Sequence, residues 1–423
     1  MKVLWIVNIL LNKFSLQLYN KPSNGLWMDA LLEEFVDAND IEIVVATTLN
    51  IKKTIKFKDG NVTYYALPDN YPLLYNENKK GNIKAWQELL EGEKPDLIQV
   101  WGTEFTHGLC CLRLAKDIPS VIYMQGLMGA IADCYRAGIS VSDIKKSVTI
   151  RDLIKRDGIL LQQRKFFKQA IKETEMLELS GSIICENDWC ESVVKQIVPT
   201  IKVYRCQINL NKIFSEYEWD VEKSEKYSII STASGYTIKG LHILLKALAI
   251  VKTKYPEIKL YVPGVPQVAD GSLSGTLHKT GYTKYVEKLI KQLDIKENIV
   301  WLGILSQEEL ARQYTKCRVF VMPSAIENHS SSLKEAMMVG MPCISSSVGG
   351  IPEYVKHGEN GLLYNFGDYN VLADCICKLI EYDEKRLCEM SQNARRDMID
   401  LHGGVKITET IHKIYKEIVN SKS

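Results

Sequence analysis

Hydrophobic and polar positions along this chain fall into two rhythms: short unbroken apolar runs, and longer stretches where apolar residues recur every three or four positions. Lys2 to Val7 is the first short run, and Trp27 to Phe35 the first helical stretch. Ile41 to Ala46, Asp96 to Val100 and Ser120 to Met124 predict further strands. After a polar stretch near Ser215 to Lys226 the series restarts at Tyr227 to Ser231. It continues through Ile258 to Val262, Asn298 to Leu302, Arg318 to Met322 and Pro342 to Ser345. Strands alternating with helices argue for a parallel sheet covered on both faces, and two such series argue for two doubly wound α/β domains joined by a linker in about residues 208–226. The length of 423 residues suits two cores better than one.

Composition narrows the function class. With 46% apolar and 25% charged residues the chain has the make-up of a soluble globular protein, and a net charge of +2 argues against a nucleic-acid partner. Eleven cysteines without repeated pair spacing suggest neither a zinc site nor a disulfide framework, and fit reduced thiols in a cytoplasm. The apolar residues from Val3 to Leu11 are interrupted by Asn8 and reach no small-residue cleavage site, so a buried first strand is expected rather than a signal peptide. No run approaches the roughly 20 apolar residues of a membrane span. A dinucleotide fingerprint would place glycines directly after the first strand, yet Asn8 to Asn12 contains none, and a phosphate-binding Gly-Lys-Ser/Thr loop is absent as well.

Candidate chemistry concentrates in Pro323 to Glu335, where a strand hands over to a helix and two glutamates, Glu327 and Glu335, stand with seven residues between them. Open α/β sheets bind ligands at the carboxyl ends of their strands. The unpaired N–H groups of a first helical turn suit an anion such as a diphosphate, and flanking carboxylates suit sugar hydroxyls. Ser332 and Glu335 equally spell a capping box, in which the glutamate only satisfies a backbone N–H. Earlier, Ser234 to Gly240 places Lys239 at the mouth of the second series, either to neutralise phosphate or as a solvated helix end. Between residues 144 and 172, nine lysines and arginines interleave with apolar residues as in a basic amphipathic helix. Such a helix could rest on an anionic membrane or pack on its own domain.

Lys239-Gly240, Val300-Trp301-Leu302-Gly303, Met322-Pro323-Ser324, Glu327 through Met337, Gly340-Met341-Pro342, Val348 to Val355 and His357 to Leu363 follow the order and spacing of the retaining glycosyltransferases of family 4. The chain resembles that family strongly over about residues 227–365. It does so more weakly in the N-terminal half, at Lys94 to Gly102 and Tyr123 to Gly126. The resemblance implies a GT-B architecture of two Rossmann-like domains facing across a cleft. Residues 1–208 would form the acceptor side and 209–403 the donor-nucleotide side, with a helix in 404–423 crossing back. It implies that Glu327 holds donor-sugar hydroxyls and works with Lys239 on the reacting bond, and that Glu335 holds the ribose. His329, Ser330, Ser331, Ser332, Gly235, Gly303, Gly349 and Gly350 would line the donor site through their backbone. On the acceptor side it implies Gly25, His107 and Gln125. A nucleotide-diphosphate sugar would be the donor, with neither prosthetic group nor metal. The acceptor would be a glycan or lipid-linked hydroxyl in surface polysaccharide or glycolipid assembly, in the cytoplasm or on the inner face of the cell membrane. Two departures stand out: Ser234 occupies the place of the family's diphosphate-binding arginine, and Gln125 that of a histidine. They leave open a sugar-nucleotide epimerase of the same architecture, or a non-catalytic nucleotide-sugar-binding subunit.

Overall fold

The computed structural model describes residues 1–23, 26–36, 41–69, 80–208, 210–267, 278–402 and 407–421. Two units each carry their own sheet. The first comprises Met1–Gly129, Phe167–Asn209 and Val405–Ser423, and the second Ala130–Phe166 and Leu210–Gly404.

The first sheet has eight strands, β1 (Lys2–Ile6), β2 (Glu42–Leu49), β3 (Ile55–Asp59), β4 (Val62–Pro68), β5 (Leu97–Trp101), β6 (Ser120–Tyr123), β7 (Ser182–Cys185) and β8 (Lys202–Arg205), in the order β3-β4-β2-β1-β5-β6-β7-β8. Every neighbouring pair is parallel except the β3–β4 hairpin, which turns through Gly60-Asn61. Interior parallel strands are covered on both faces, which is why β1, β2 and β5 read as nearly unbroken apolar runs. The helix Ile407–Asn420 sets Ile407, Ile411, Ile414, Tyr415 and Ile418 into the same core, and the Trp5 indole N–H donates to the Tyr415 hydroxyl at 3.1 Å.

The second sheet is wholly parallel: β9 (Glu225–Ile230), β10 (Lys259–Pro263), β11 (Ile299–Gly303), β12 (Cys317–Met322), β13 (Cys343–Ser346) and β14 (Leu362–Tyr364), ordered β11-β10-β9-β12-β13-β14. From β9 the chain runs outward through β10 and β11, then returns to lay β12 on the other side of β9. The order therefore reverses between β9 and β12, where the carboxyl ends of a doubly wound sheet open a ligand crevice.

The strands lie where the apolar runs placed them, but five were not anticipated. β7, β8 and β14 are only three or four residues long, too short for a periodic signal, and the β3–β4 hairpin was not read. Most of the expected linker at 208–226 is packed structure. Phe214, Trp219 and Val221 are buried, the Trp219 indole donates to the Cys317 carbonyl at 2.8 Å, and the Arg395 guanidinium donates to the carbonyls of Ser215 and Tyr217. Residues 130–166 also group with the second unit, inside what was expected as a first domain of 1–208. The Thr237 hydroxyl donates to the Tyr135 carbonyl, His242 Nε2 to the Ala137 carbonyl at 2.8 Å and the Thr149 hydroxyl to the Lys279 carbonyl at 3.0 Å. Ile139, Ile144 and Ile159 enter the second core. The anticipated basic amphipathic helix of 144–172 is in fact parts of three helices, Val141–Ser147, Ile150–Lys155 and Ile159–Ser180, the first two started by Ser140 and Thr149 caps.

Candidate active site

At the reversal point between β9 and β12 two loops are stitched together. The Ala325 N–H donates to the Ile238 carbonyl at 2.7 Å, and Gly240, at φ +72°, lies against Pro323, whose carbonyl oxygen would sit 1.7 Å from any added Cβ. No residue with a side chain fits there without moving the backbone. This contact delivers Lys239 to Glu327: Lys239 Nζ donates to Glu327 Oε1 at 2.7 Å, and the Ser324 hydroxyl donates to the same oxygen at 2.7 Å. Ser346 in turn donates to the Ser324 carbonyl at 2.5 Å. Glu327 is buried while Lys239 is 40% exposed, so solvent still reaches one side of the pair.

Gly349 and Gly350 brace this carboxylate from behind. A Cβ on Gly349, at φ +53°, would come within 1.8 Å of the Glu327 carbonyl oxygen, and the Gly350 N–H donates to that carbonyl at 3.2 Å. The close backbone approach expected of these glycines is thus made to Glu327 itself, ahead of the Pro352-started turn Ile351–Glu353.

The helix that follows begins two residues earlier than the capping-box reading supposed. It spans Ser331–Val339 with Ser330 as N-cap, whose side chain accepts from the Leu333 N–H at 3.4 Å. Ser332 instead receives the Thr232 hydroxyl at 3.0 Å, a link back to the loop after β9. Glu335 therefore caps nothing. Its carboxylate takes no hydrogen bond among the described residues, and burial pushes it up to about 7. Ser331 is exposed and His329 partly buried at the start of this helix. Lys334, unremarked in sequence, is buried with its ammonium 5.3 Å from the Tyr354 ring centre.

Gly235 and Gly303 have positive φ and open space where a side chain would be. Gly235 borders a cavity of about 1000 Å³ within the second unit, lined also by Tyr135, Ser234, Tyr236, Gln267 and Trp301. Ser234, standing where an arginine was expected, lines it without supplying charge. The nearby cations Arg151 and Lys279 are paired with Asp157 at 2.9 Å and Glu287 at 2.5 Å.

In the first unit His107 is buried, and burial pushes its imidazole down to about 4, so it stays neutral near pH 7. Gln125 follows β6 beside Gly102, whose positive φ leaves room for the Glu104 carboxylate. Glu104 Oε1 accepts from the Gly126 N–H at 2.5 Å, and burial raises the group to about 7. Buried Glu173 accepts from the Thr103 hydroxyl at 2.5 Å and the Met128 N–H at 3.0 Å, and is likewise raised to about 7, chiefly by burial. Sequence reading passed over Glu104, although a Gly-Thr-Glu directly after a central strand was the available signal. Gly25 lies outside the described residues. Among the described residues no cluster of three or more His, Cys, Asp or Glu side chains is arranged to hold a metal, and no helix is long and apolar enough to cross a membrane.

Comparison with known proteins bears on this arrangement. Residues 214–397 match the family described as glycosyl transferases group 1. N-acetyl-alpha-D-glucosaminyl L-malate synthase of Bacillus anthracis is 27% identical over 202 residues, which are 48% of this chain and 48% of that enzyme. The chain spans about half or less of the length of the first curated relatives it matches. Among solved structures, sucrose-phosphate synthase from Thermosynechococcus elongatus superposes with a TM-score of 0.69 at 16% identity, covering 100% of both chains. Anabaena HepE in complex with UDP and glucose does so with a TM-score of 0.64 at 16% identity, over 99% of this chain and 100% of that one.

Proposed function

We propose, from the match of residues 214–397 to the group 1 glycosyl transferases and the GT-B fold of the two parallel-sheet units, that the protein is a retaining glycosyltransferase. It moves a sugar from a nucleotide-diphosphate sugar to a hydroxyl of a glycan or lipid-linked acceptor, in surface polysaccharide or glycolipid assembly. The observation that carries this reading is the Lys239–Glu327 contact of 2.7 Å at the reversal point of the second sheet, with the unpartnered Glu335 carboxylate on the helix that follows.

In this reading the donor's ribose hydroxyls donate to Glu335, and the diphosphate lies against the first-turn N–H groups of the Ser331–Val339 helix. Lys239 exchanges Glu327 for the diphosphate when donor binds, which frees the Glu327 carboxylate to accept from donor-sugar hydroxyls. Breaking the bond between the sugar's anomeric carbon and the phosphate oxygen sends its electron pair to the diphosphate, where Lys239 meets the developing charge. The acceptor oxygen attacks the same face of that carbon, and its proton passes to the departing phosphate oxygen. Configuration is thereby retained without an enzymic nucleophile.

The test is nucleoside diphosphate release from a panel of sugar nucleotides, with and without a mixture of glycan and membrane-lipid acceptors. Acceptor-dependent release that falls at least about a hundredfold in Glu327→Ala is expected, on the scale of about 2.7 kcal/mol for one preset electrostatic group. Near-normal turnover by Glu327→Ala would sink the assignment. Product formed from donor alone would favour an epimerase, and binding without turnover a silent subunit.

A further inference from the structure

The Ile150–Lys155 helix of the second unit is fixed on one side and bare on the other. Its inner side is pinned: Asp152 takes the Thr149 N–H at 3.1 Å in a capping box, against Gly281, where an added Cβ would come within 2.6 Å of the Asp152 carboxylate. The Thr149 hydroxyl donates to the Lys279 carbonyl at 3.0 Å, and Lys284 Nζ to the Val148 carbonyl at 3.2 Å. The outer side presents Ile150, Leu153 and Ile154, spaced three and four apart and therefore on one face, with 75%, 65% and 72% of their surface exposed. Val148 before the helix and Leu161 after it are exposed as well. Folding gains nothing from three bare aliphatic side chains on a rigid platform, and contiguous exposed apolar surface marks an interaction site.

The rim identifies the partner. Lys145, Lys146, Lys155, Arg156 and Arg164, on this helix and the segments just before and after it, are all exposed. The acids between residues 144 and 166 are Asp152, buried in its cap, and Asp157, held by Arg151 at 2.9 Å. Asp143, just before, takes the Ser140 hydroxyl. The outward charge is thus predominantly positive. The apolar centre is aliphatic, without the aromatic residues that enrich protein–protein interface cores. Aliphatic side chains with a ring of lysine and arginine match the boundary between acyl chains and phosphate headgroups.

We propose that this helix docks the protein on an anionic bilayer, with Ile150, Leu153 and Ile154 entering the acyl boundary and Lys145, Lys146, Lys155 and Arg156 meeting lipid phosphates. The contact rests on the glycosyltransferase reading only for its use, which is to hold the donor-binding unit at the surface that carries a lipid-linked acceptor. It uses neither Lys239 nor Glu327, so the two readings fail separately. The site is also narrower than residues 144–172 as a whole.

Flotation of the full chain with phosphatidylglycerol–phosphatidylcholine vesicles tests it. Binding is expected to anionic vesicles, to be much weaker on pure phosphatidylcholine, and to be reduced by salt. The triple variant Ile150→Ser, Leu153→Ser, Ile154→Ser should bind roughly tenfold less or weaker still, as should Lys145→Gln, Lys146→Gln, Lys155→Gln, Arg156→Gln, with the thermal shift by nucleoside diphosphates kept in both. Should the triple variant misfold, Ile154→Trp gives a second reading, a blue shift of the new indole's emission on anionic vesicles. Absence of wild-type flotation, equal flotation by the triple variant, or no blue shift overturns the proposal. So does sedimentation showing that the face joins two copies of the chain without lipid.

Discussion

At the scale of single residues, Glu335 makes the sharpest claim. Its carboxyl group is raised by burial to about 7 in the folded chain, against about 4.3 when unfolded, so the folded state prefers it protonated. The sign follows: the penalty is absent below the unfolded value, grows as pH rises from about 4.3 to about 7, and is complete above that. Glu335→Gln should therefore raise the melting temperature at about pH 8 and leave it nearly unchanged at about pH 4, and equal effects at both pH values would refute a carboxyl that titrates near neutrality in the folded chain. Ribose hydroxyls would favour the ionised form, so donor affinity of the wild type should rise between about pH 5.5 and 7.5. Gly240 and Gly349 make a second claim at this scale. Because a Cβ would strike the carbonyl of Pro323 or of Glu327, Gly240→Ala and Gly349→Ala should each cost on the order of 2 kcal/mol or more in denaturant unfolding. A cost near zero would mean the loops relax freely. The positions of Lys239 before a helix and of Glu327 in a strand-to-helix loop were legible from pattern alone, while their 2.7 Å contact was not. The partner of Gly349 was not, because positive φ shows in a sequence only as a glycine, and which backbone it admits depends on tertiary packing.

At the scale of elements, the segment 130–166 shows why domain bounds are hard to read from one dimension. It lies between β6 and β7 of the first sheet, so connectivity assigns it there. Yet His242, on the Leu241–Lys254 helix of the second unit, donates from Nε2 to the Ala137 carbonyl and meets the Tyr282 hydroxyl at 3.1 Å from Nδ1. Burial pushes this imidazole down to about 4, whereas an unfolded histidine titrates near 6.5. The folded state thus loses stability as pH falls from about 6.5 toward about 4, because the unfolded chain takes the proton first. His242→Gln should flatten that part of the stability–pH curve while lowering stability at neutral pH. A variant with the wild-type slope would place the acid sensitivity elsewhere. The polar letters of residues 208–226 misled in a similar way, since Phe214, Trp219 and Val221 are spaced too irregularly to signal the packing they make.

At the scale of the whole molecule, the two long alternating series made two parallel-sheet units readable, because interior parallel strands must be apolar on both faces. The return of the last helix to the first core was implied only by the family resemblance, and its long-range partners, Tyr415 against Trp5, were not legible at all. Removing residues 405–423 should uncover Trp5 and Phe35, lower the melting temperature and increase binding of a hydrophobic dye, and an unchanged melting curve would mean the helix is dispensable to that core. The central claim, however, is that the Lys239–Glu327–Glu335 edge of the second unit is a nucleotide-sugar site. Calorimetric titration of the full chain with a panel of nucleoside diphosphates tests it most directly. One diphosphate should bind the wild type at one site per chain, and Lys239→Met and Glu335→Ala should each weaken it about tenfold or more, as loss of a hydrogen bond to a charged group implies. Affinities in both variants equal to the wild type would contradict the account.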